Sequence, residues 1–216
     1  MPYKILFMGT PEFSVPILKK LYLKHKIIGV ITQPPKKKSR GQKLLKSPVH
    51  LDAEKLKIPI RHPNSLHNNA ELDYIKNAEI NFVVVVAYGQ IIPDSFLNIK
   101  DLIFLNIHAS LLPRWRGAAP IQRSIMEMDK ETGISIMKII PKLDAGPFML
   151  QEKISINEGD NFSLLSKKLS ETGANLIVDA LSLFKKNEVN FINQDEKNVT
   201  YAKKINKREA KINWNK

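Results

Sequence analysis

Short apolar runs alternate with amphipathic stretches along most of this chain. YKILFMG (residues 3–9) reads as a compact strand. TPEFSVPILKKLYLK, which follows, begins as a helix should: Thr10 can cap, Pro11 suits a first turn and Glu12 favours the positive helix end. Pro16 lies further in and should divide or delay that helix. KIIGVIT predicts a second strand, VHLDAEKLK a helix, IPIR a brief strand and NNAELDYIKN another helix. INFVVVVAYG is apolar on both faces, as the middle of a parallel sheet requires, and DLIFLNIHA predicts its neighbour. PIQRSIMEMDK predicts a helix with Pro120 in its first turn. TGISIMKII and PFMLQEKISI predict strands around the turn-like PKLDAG, and residues 161–186 carry a long amphipathic helical pattern. Strands alternating with helices predict an α/β domain, a Rossmann-like open, mostly parallel sheet with helices on both faces. Ligands of such sheets bind beyond the carboxyl ends of the strands.

From Asn187 the apolar pattern decays. NQDEKNVTYAKKINKREAKINWNK is polar and charged, and Trp214 has no apolar company. The expected organisation is a domain over residues 1–186 and a connector over residues 187–216.

One strand breaks the pattern. In LNIHASLLPRWRGAAPIQ (residues 105–122) an apolar strand ends in polar residues. Side chains alternate along a strand, so Ile103, Leu105 and Ile107 share one face and Phe104, Asn106 and His108 the other. The strand therefore turns polar only at its carboxyl end, where the crevice of such a sheet lies. A lone His108 would read as a hydrogen-bonded scaffold residue. With Asn106 on the same face, the pair offers an amide donor and an imidazole, the groups that hold a developing oxyanion. Asp144 in PKLDAGP could be a simple turn former. Placed near His108, its carboxylate would favour the protonated imidazole. The RWR that follows is expected to be exposed. Ser110 with His108 and Asp144 invites a serine-hydrolase reading, but the chain has no G-x-S-x-G elbow.

Composition narrows the chemistry. With 34 Lys and Arg against 21 Asp and Glu, the net charge is +13, which fits a polyanionic partner, nucleic acid ahead of membrane. The positive charge concentrates in QPPKKKSRGQKLLKSP, a loop-like stretch without periodicity. The absence of cysteine excludes disulfides, thiolate metal sites and a cysteine nucleophile. His62 and His67 do not have a metal-ligand spacing, and no metal is expected. The first strand-to-helix turn is GTPEF rather than G-x-G-x-x-G, and no P-loop motif occurs, so neither a dinucleotide nor a P-loop nucleotide site is indicated. The start of the chain has no long apolar stretch, and a soluble cytoplasmic protein is expected.

Taken together, LNIHASLLPRWRGAAPIQRSI, FMGTPEFSVPIL, VITQPPKKKSRGQKLLKSPV, VVVVAYGQIIP, LDAGPFMLQEKISI and TYAKKINKREAKINW resemble, in the same order, segments of the methionyl-tRNA formyltransferases. The resemblance covers nearly the whole chain. It implies the formyltransferase fold and transfer of a formyl group from 10-formyltetrahydrofolate to the α-amine of initiator methionyl-tRNA, without a metal and as a monomer. Asn106, His108 and Asp144 fall on the family's catalytic positions. Ser110, Leu111, Leu112 and Pro113 fall on its folate-binding stretch. Ala87 to Ile92, with Gly89 and Ile91, resembles the loop that receives the pterin. Arg40 and Lys43, with Lys36, Lys37 and Lys38, fall in the loop that meets the tRNA acceptor end. Lys142 stands where relatives commonly have glycine. Relatives continue into a C-terminal tRNA-binding domain, to which residues 187–216 would lead. Other formyltransferases that act on sugar nucleotides or small amines share the Asn, His, Asp set and form the alternative reading. A noncatalytic RNA-binding domain would not need that set.

Overall fold

The computed structural model describes residues 2–38 and 43–211. β1 (Lys4–Gly9) leads through a 3-10 turn (Glu12–Ser14) into α1 (Val15–Lys24) and β2 (Lys26–Ile31). A small hairpin, β3 (Lys36–Lys38) and β4 (Lys43–Leu45), precedes α2 (Pro48–Lys55), β5 (Ile60–Arg61) and α3 (Asn69–Asn77). Then come β6 (Phe82–Val86), α4 (Asp94–Leu97), β7 (Ile103–His108), β8 (Arg116–Gly117), α5 (Pro120–Met126), β9 (Glu131–Lys138), β10 (Phe148–Ser155), α6 (Phe162–Lys186) and β11 (Tyr201–Ala202).

Seven strands make one sheet in the order β10-β9-β7-β6-β1-β2-β5. The run from β5 to β7 is parallel, and β9 and β10 add antiparallel pairings at one edge. The chain order reverses direction across the sheet at β1, between β2 and β6, which is the switch point expected to face a crevice. Leu105 and Ile107 sit in the core under α1, α2 and α6, with Ile103 packed against it. Phe104 sits with Leu6, Met8, Val83 and Val85 in a second core beneath α3 and α4. Burial of each aliphatic side chain is worth roughly 1.5–3 kcal/mol. These two apolar layers therefore fix β7 in place, and Asn106 and His108 are its only polar side chains.

Two local expectations change, and a third, the delay of the helix at Pro16, is met. Thr10 does not cap a helix; its hydroxyl donates instead to the Tyr88 carbonyl at 2.8 Å. The helix starts at Val15, with Pro16 in its first turn, where a missing N–H costs nothing. The basic stretch contains a paired hairpin, with Lys36 opposite Leu45 and Lys38 opposite Lys43.

The polar segment after α6 lies against the domain as far as it is described. Asn187 ends α6 in the left-handed conformation, and Ile192 then pairs with Phe148. β11 adds in parallel to β8, placing Tyr201 beside Arg116 and Ala202 beside Gly117. Its apolar pattern is weak because hydrogen bonds, rather than a buried apolar face, hold it. No helix among the described residues is long and apolar enough to cross a membrane.

Candidate active site

The site grows from the carboxyl end of β7. Asn106 is level with Val85 on β6 and with Met137 on β9, and His108 is level with Ser135. Asn106 is half-buried and His108 buried. The His108 Nε2 atom is 2.8 Å from the Trp115 carbonyl oxygen. A carbonyl can only accept, so Nε2 carries the hydrogen and Nδ1 is left as the free ring nitrogen. Nδ1 faces Asp144, whose Oδ2 is 3.8 Å away. That is ion-pair range and longer than a direct hydrogen bond.

Asp144 occupies the turn between β9 and β10 with φ +45°. Its Oδ2 accepts a 2.8 Å hydrogen bond from the Gly117 amide. The three residues Trp115 to Gly117 thus hold both partners, His108 through a carbonyl and Asp144 through an amide.

That segment is itself braced. Trp115 has φ +64°, and its amide donates to Thr200 Oγ1 at 2.9 Å. Its indole N–H donates to Asp129 Oδ2 at 2.7 Å. Arg114 grips the same carboxylate at 3.0 and 2.5 Å and lies 4.5 Å over the indole ring. Burial pushes the Asp129 carboxyl up, but the Arg114 and Trp115 donors outweigh it and hold the group below its ordinary range. The expectation of an exposed RWR is therefore corrected for two residues: Trp115 is buried and Arg116 is 0% exposed. The Arg116 guanidinium donates from Nε to Gln194 Oε1 at 2.8 Å and from Nη2 to Glu196 Oε1 at 2.9 Å. Gln194 meets it inside and Glu196 from the surface, while its Nη1 is buried without a hydrogen-bond partner. Arg116 first and Lys142 second pull the Glu196 carboxyl down to about 2.

The two remaining segments flank this centre. Ser110 is fully buried, and its hydroxyl donates to the Arg114 carbonyl at 2.6 Å. With His108 Nε2 donating to Trp115, the groups of a serine hydrolase are turned to other partners. The turn from Ser110 to Pro113 is pinned by residues the sequence did not single out. The Ser135 hydroxyl donates to the Ser110 carbonyl at 2.6 Å, and Gln151 donates to the Leu112 carbonyl at 2.9 Å. Leu112 is buried, while Leu111 and Pro113 are half-buried.

The loop after β6 passes through left-handed Ala87 (φ +45°) and Gly89 (φ +87°). Its carbonyls at Val86, Tyr88 and Gly89 accept from Ser14, Thr10 and Gln33, each at 2.8 Å. Tyr88 and Ile92 anchor it in the second core, leaving Ala87 exposed and Ile91 83% exposed.

Lys36, Lys37 and Lys38 lie on β3 and Lys43 on β4, while Arg40 lies outside the described residues. Among the described residues no group of three or more His, Asp or Glu side chains is placed to hold a metal ion; His62 stacks on His50 with centroids 5.6 Å apart.

Gly117 is a site residue that sequence reasoning missed. Its φ of +121° suits glycine, and a Cβ there would stand 2.9 Å from the Ala202 carbonyl oxygen. Gly117→Ala should shift the backbone and lengthen the amide bond to Asp144. The expected result is a loss of turnover of about tenfold, near the ~1.4 kcal/mol that a weakened charge-assisted hydrogen bond is worth. Turnover and binding of a folate analogue, measured side by side, check it: binding should change less than twofold.

Residues 3–181 match the formyl transferase family. The methionyl-tRNA formyltransferase of Pelagibacter ubique is 52% identical to this chain, over all of it and 70% of the relative. That of Sulfurihydrogenibium sp. is 46% identical over 99% of this chain and 69% of the relative. Among solved structures, the N-formyltransferase from Helicobacter canadensis superposes with a TM-score of 0.75 at 20% identity, covering 100% of this chain and 76% of that one. Glycinamide ribonucleotide transformylase 1 from Symbiobacterium toebii superposes with a TM-score of 0.72 at 16% identity, covering 89% and 95%. At those identities the superpositions speak to the fold.

Proposed function

The chain belongs to the formyl transferase family, among its methionyl-tRNA formyltransferases, and from that premise we propose how its own residues transfer a formyl group from 10-formyltetrahydrofolate to the α-amine of initiator methionyl-tRNA. The observation that carries the reading is that Asp144 faces His108 at the end of the strand that also carries Asn106, with His108 and Asp144 fastened to the same three residues.

The folate supplies the one-carbon unit at the oxidation level of formate, so its transfer from one nitrogen to another needs no oxidant or reductant. The loop from Ala87 to Ile92 and the turn from Ser110 to Pro113 flank Asn106 and His108, and they are the segments that would hold it. Exposed Ile91 offers apolar surface to a flat heteroaromatic ring. An α-amine has a pKa near about 8, so a useful neutral fraction is present at neutral pH without a strong base. As the amine adds to the formyl carbon, negative charge gathers on the formyl oxygen. Asn106 donates to that oxygen, and His108 donates from Nδ1, since Nε2 is committed to the Trp115 carbonyl. Asp144 faces Nδ1 at 3.8 Å and relays a proton from the attacking amine toward the departing folate nitrogen. The new C–N bond forms as the formyl carbon's bond to the folate nitrogen breaks, and that nitrogen takes up the proton.

The basic hairpin is the tRNA-facing element of this reading: Lys36, Lys37, Lys38 and Lys43 contact phosphates, and Arg40 anchors the acceptor end. The protein acts as a monomer in the cytoplasm, where aminoacylated tRNA is made, and residues 187–216 lead from the catalytic domain toward a further tRNA-binding domain.

One assay tests the function: formylation of methionyl-tRNA against free amino sugars, with 10-formyltetrahydrofolate as donor. Methionyl-tRNA is expected to be the preferred acceptor. Faster formylation of a small amine would transfer the reading to the sugar-type enzymes. The hairpin has its own test. Each phosphate contact adds about 0.7–0.9 to the slope of log affinity against log salt. Replacing Lys36, Lys37 and Lys38 together by alanine should flatten that slope by about 2 to 3 if each lysine meets a phosphate. Arg40→Ala should lower formylation more than it lowers folate binding. Unchanged slopes and unchanged formylation would make the hairpin a solvated surface.

A further inference from the structure

Gln194 lies in the polar segment after α6, yet it is only 9% exposed. Its side-chain Nε2 donates to the Asp144 carbonyl at 2.8 Å and to the Gly146 carbonyl at 2.6 Å. Its Oε1 accepts from Arg116 Nε at 2.8 Å. Both N–H groups and the oxygen of one amide are therefore used. The reverse orientation would set oxygen against two carbonyls and NH2 against a guanidinium, so only one orientation is tenable.

We propose that Gln194 is a positioning residue for formyl transfer, clamping the Asp144 turn to Arg116 and so setting the distance between Asp144 and His108. The inference rests on the reading of His108 and Asp144 as the catalytic pair.

Trp115 and Gly117 fasten His108 and the Asp144 carboxylate, and the side chain of Arg116 between them meets Gln194. Gln194 then fastens the Asp144 backbone. The carboxylate and the backbone of one residue are thereby tied to a single three-residue segment. The turn has another tie to this segment of chain, between Lys142 and Glu196, but both side chains are 58% exposed and such pairs hold weakly. Glu196 pairs with both Arg116 and Lys142 near the surface, and Gln194 is the buried neutral link beneath them. At 3.8 Å the His108–Asp144 pair has no direct hydrogen bond to keep it together, so its spacing follows the turn.

Gln194→Leu keeps the volume and removes all three hydrogen bonds. Turnover should fall by about 100-fold, the loss expected of a displacement on the order of 1 Å at reacting groups. The Michaelis constant for 10-formyltetrahydrofolate should change less than twofold. Gln194→Glu, which keeps an acceptor for Arg116 but opposes the two carbonyls, should show the same loss in turnover.

The decisive measurement is a double-mutant cycle with Asp144→Asn, with functional sites counted by titration with a folate analogue. If Gln194 acts through Asp144, Gln194→Leu adds little in the Asp144→Asn background. A purely structural residue would lower the melting temperature and the number of functional sites, while turnover per site stayed unchanged. That result overturns the proposal, as would full additivity in the cycle or failure of both Gln194 variants to fold. Normal turnover by Asp144→Asn alone would instead overturn the reading of the pair.

Discussion

His108→Ala is expected to lower formyl transfer by about two to three orders of magnitude while folate binding persists. The size follows from the role: one oxyanion donor in a preorganised site is worth about 2.7–4 kcal/mol in the transition state. Asn106→Ala should cost a similar amount for the same reason. Asp144→Asn should reach that range by another route, because an amide cannot take up and pass on a proton as a carboxylate does. None of these changes touches the apolar layers. Leu105 and Ile107 on one side of β7 and Phe104 on the other keep the strand in place, so the variants should melt near the parent. Steady-state turnover with saturating donor, together with calorimetry of a folate analogue, separates the two effects. A variant that binds the analogue normally and still turns over at the parent rate would remove its residue from the mechanism.

The legible part of this site lay on the strand. Period-two alternation assigned Ile103, Leu105 and Ile107 to one face and Phe104, Asn106 and His108 to the other, and the two cores divide in that way. Alternation is a local property of the backbone, so sequence carries it directly. The bracing was not legible, because it joins residues far apart in the chain. Thr200 meets Trp115 across 85 positions, Gln194 meets Arg116 across 78, and Ser14 meets Val86 across 72. A polar residue that hydrogen-bonds a distant backbone group leaves no period in the sequence. Such residues read as loop or surface, which is how the segment after Lys186 reads. RWR misleads for the same reason. Three bulky residues in a row resemble an exposed patch, but Trp115 and Arg116 turn inward, where Asp129 and Gln194 accept from them, and Glu196 meets Arg116 from the surface. The left-handed conformations of Ala87, Trp115 and Asp144 were hidden too, since none of them is glycine.

Arg116→Ala is expected to destabilise the protein by about 3–5 kcal/mol, or roughly 6–20 °C in melting temperature for a chain of this size. Two effects compete in that figure. Removing one member of a buried ion pair strands the other, which is the costliest case. Here the partner Glu196 is 58% exposed and returns to water, so that cost is largely absent. What remains is Gln194 Oε1 without its donor, about 1–3 kcal/mol, and the space left by the aliphatic stem, about 0.8 kcal/mol per methylene. Arg116→Met refills the stem and should recover the second part but not the first. Arg116→Lys should fall between wild type and alanine, because a single ammonium lacks the fork that reaches Gln194 and Glu196 together.

The same network sets an acid limb. Arg116 and then Lys142 hold the Glu196 carboxyl at about 2, below its ordinary 4.5. A depressed folded-state value stabilises the fold fully above the ordinary carboxylate range, and the contribution is lost as pH falls from there toward 2. The wild-type melting temperature should therefore drop between pH 4.5 and about 2, and that drop should be shallower in Arg116→Met, where Glu196 keeps only Lys142. Thermal melts of both proteins across this range provide the measurement. Identical slopes, with no offset between the two proteins at neutral pH, would mean that Arg116 does not fasten the segment after α6 to the catalytic turn.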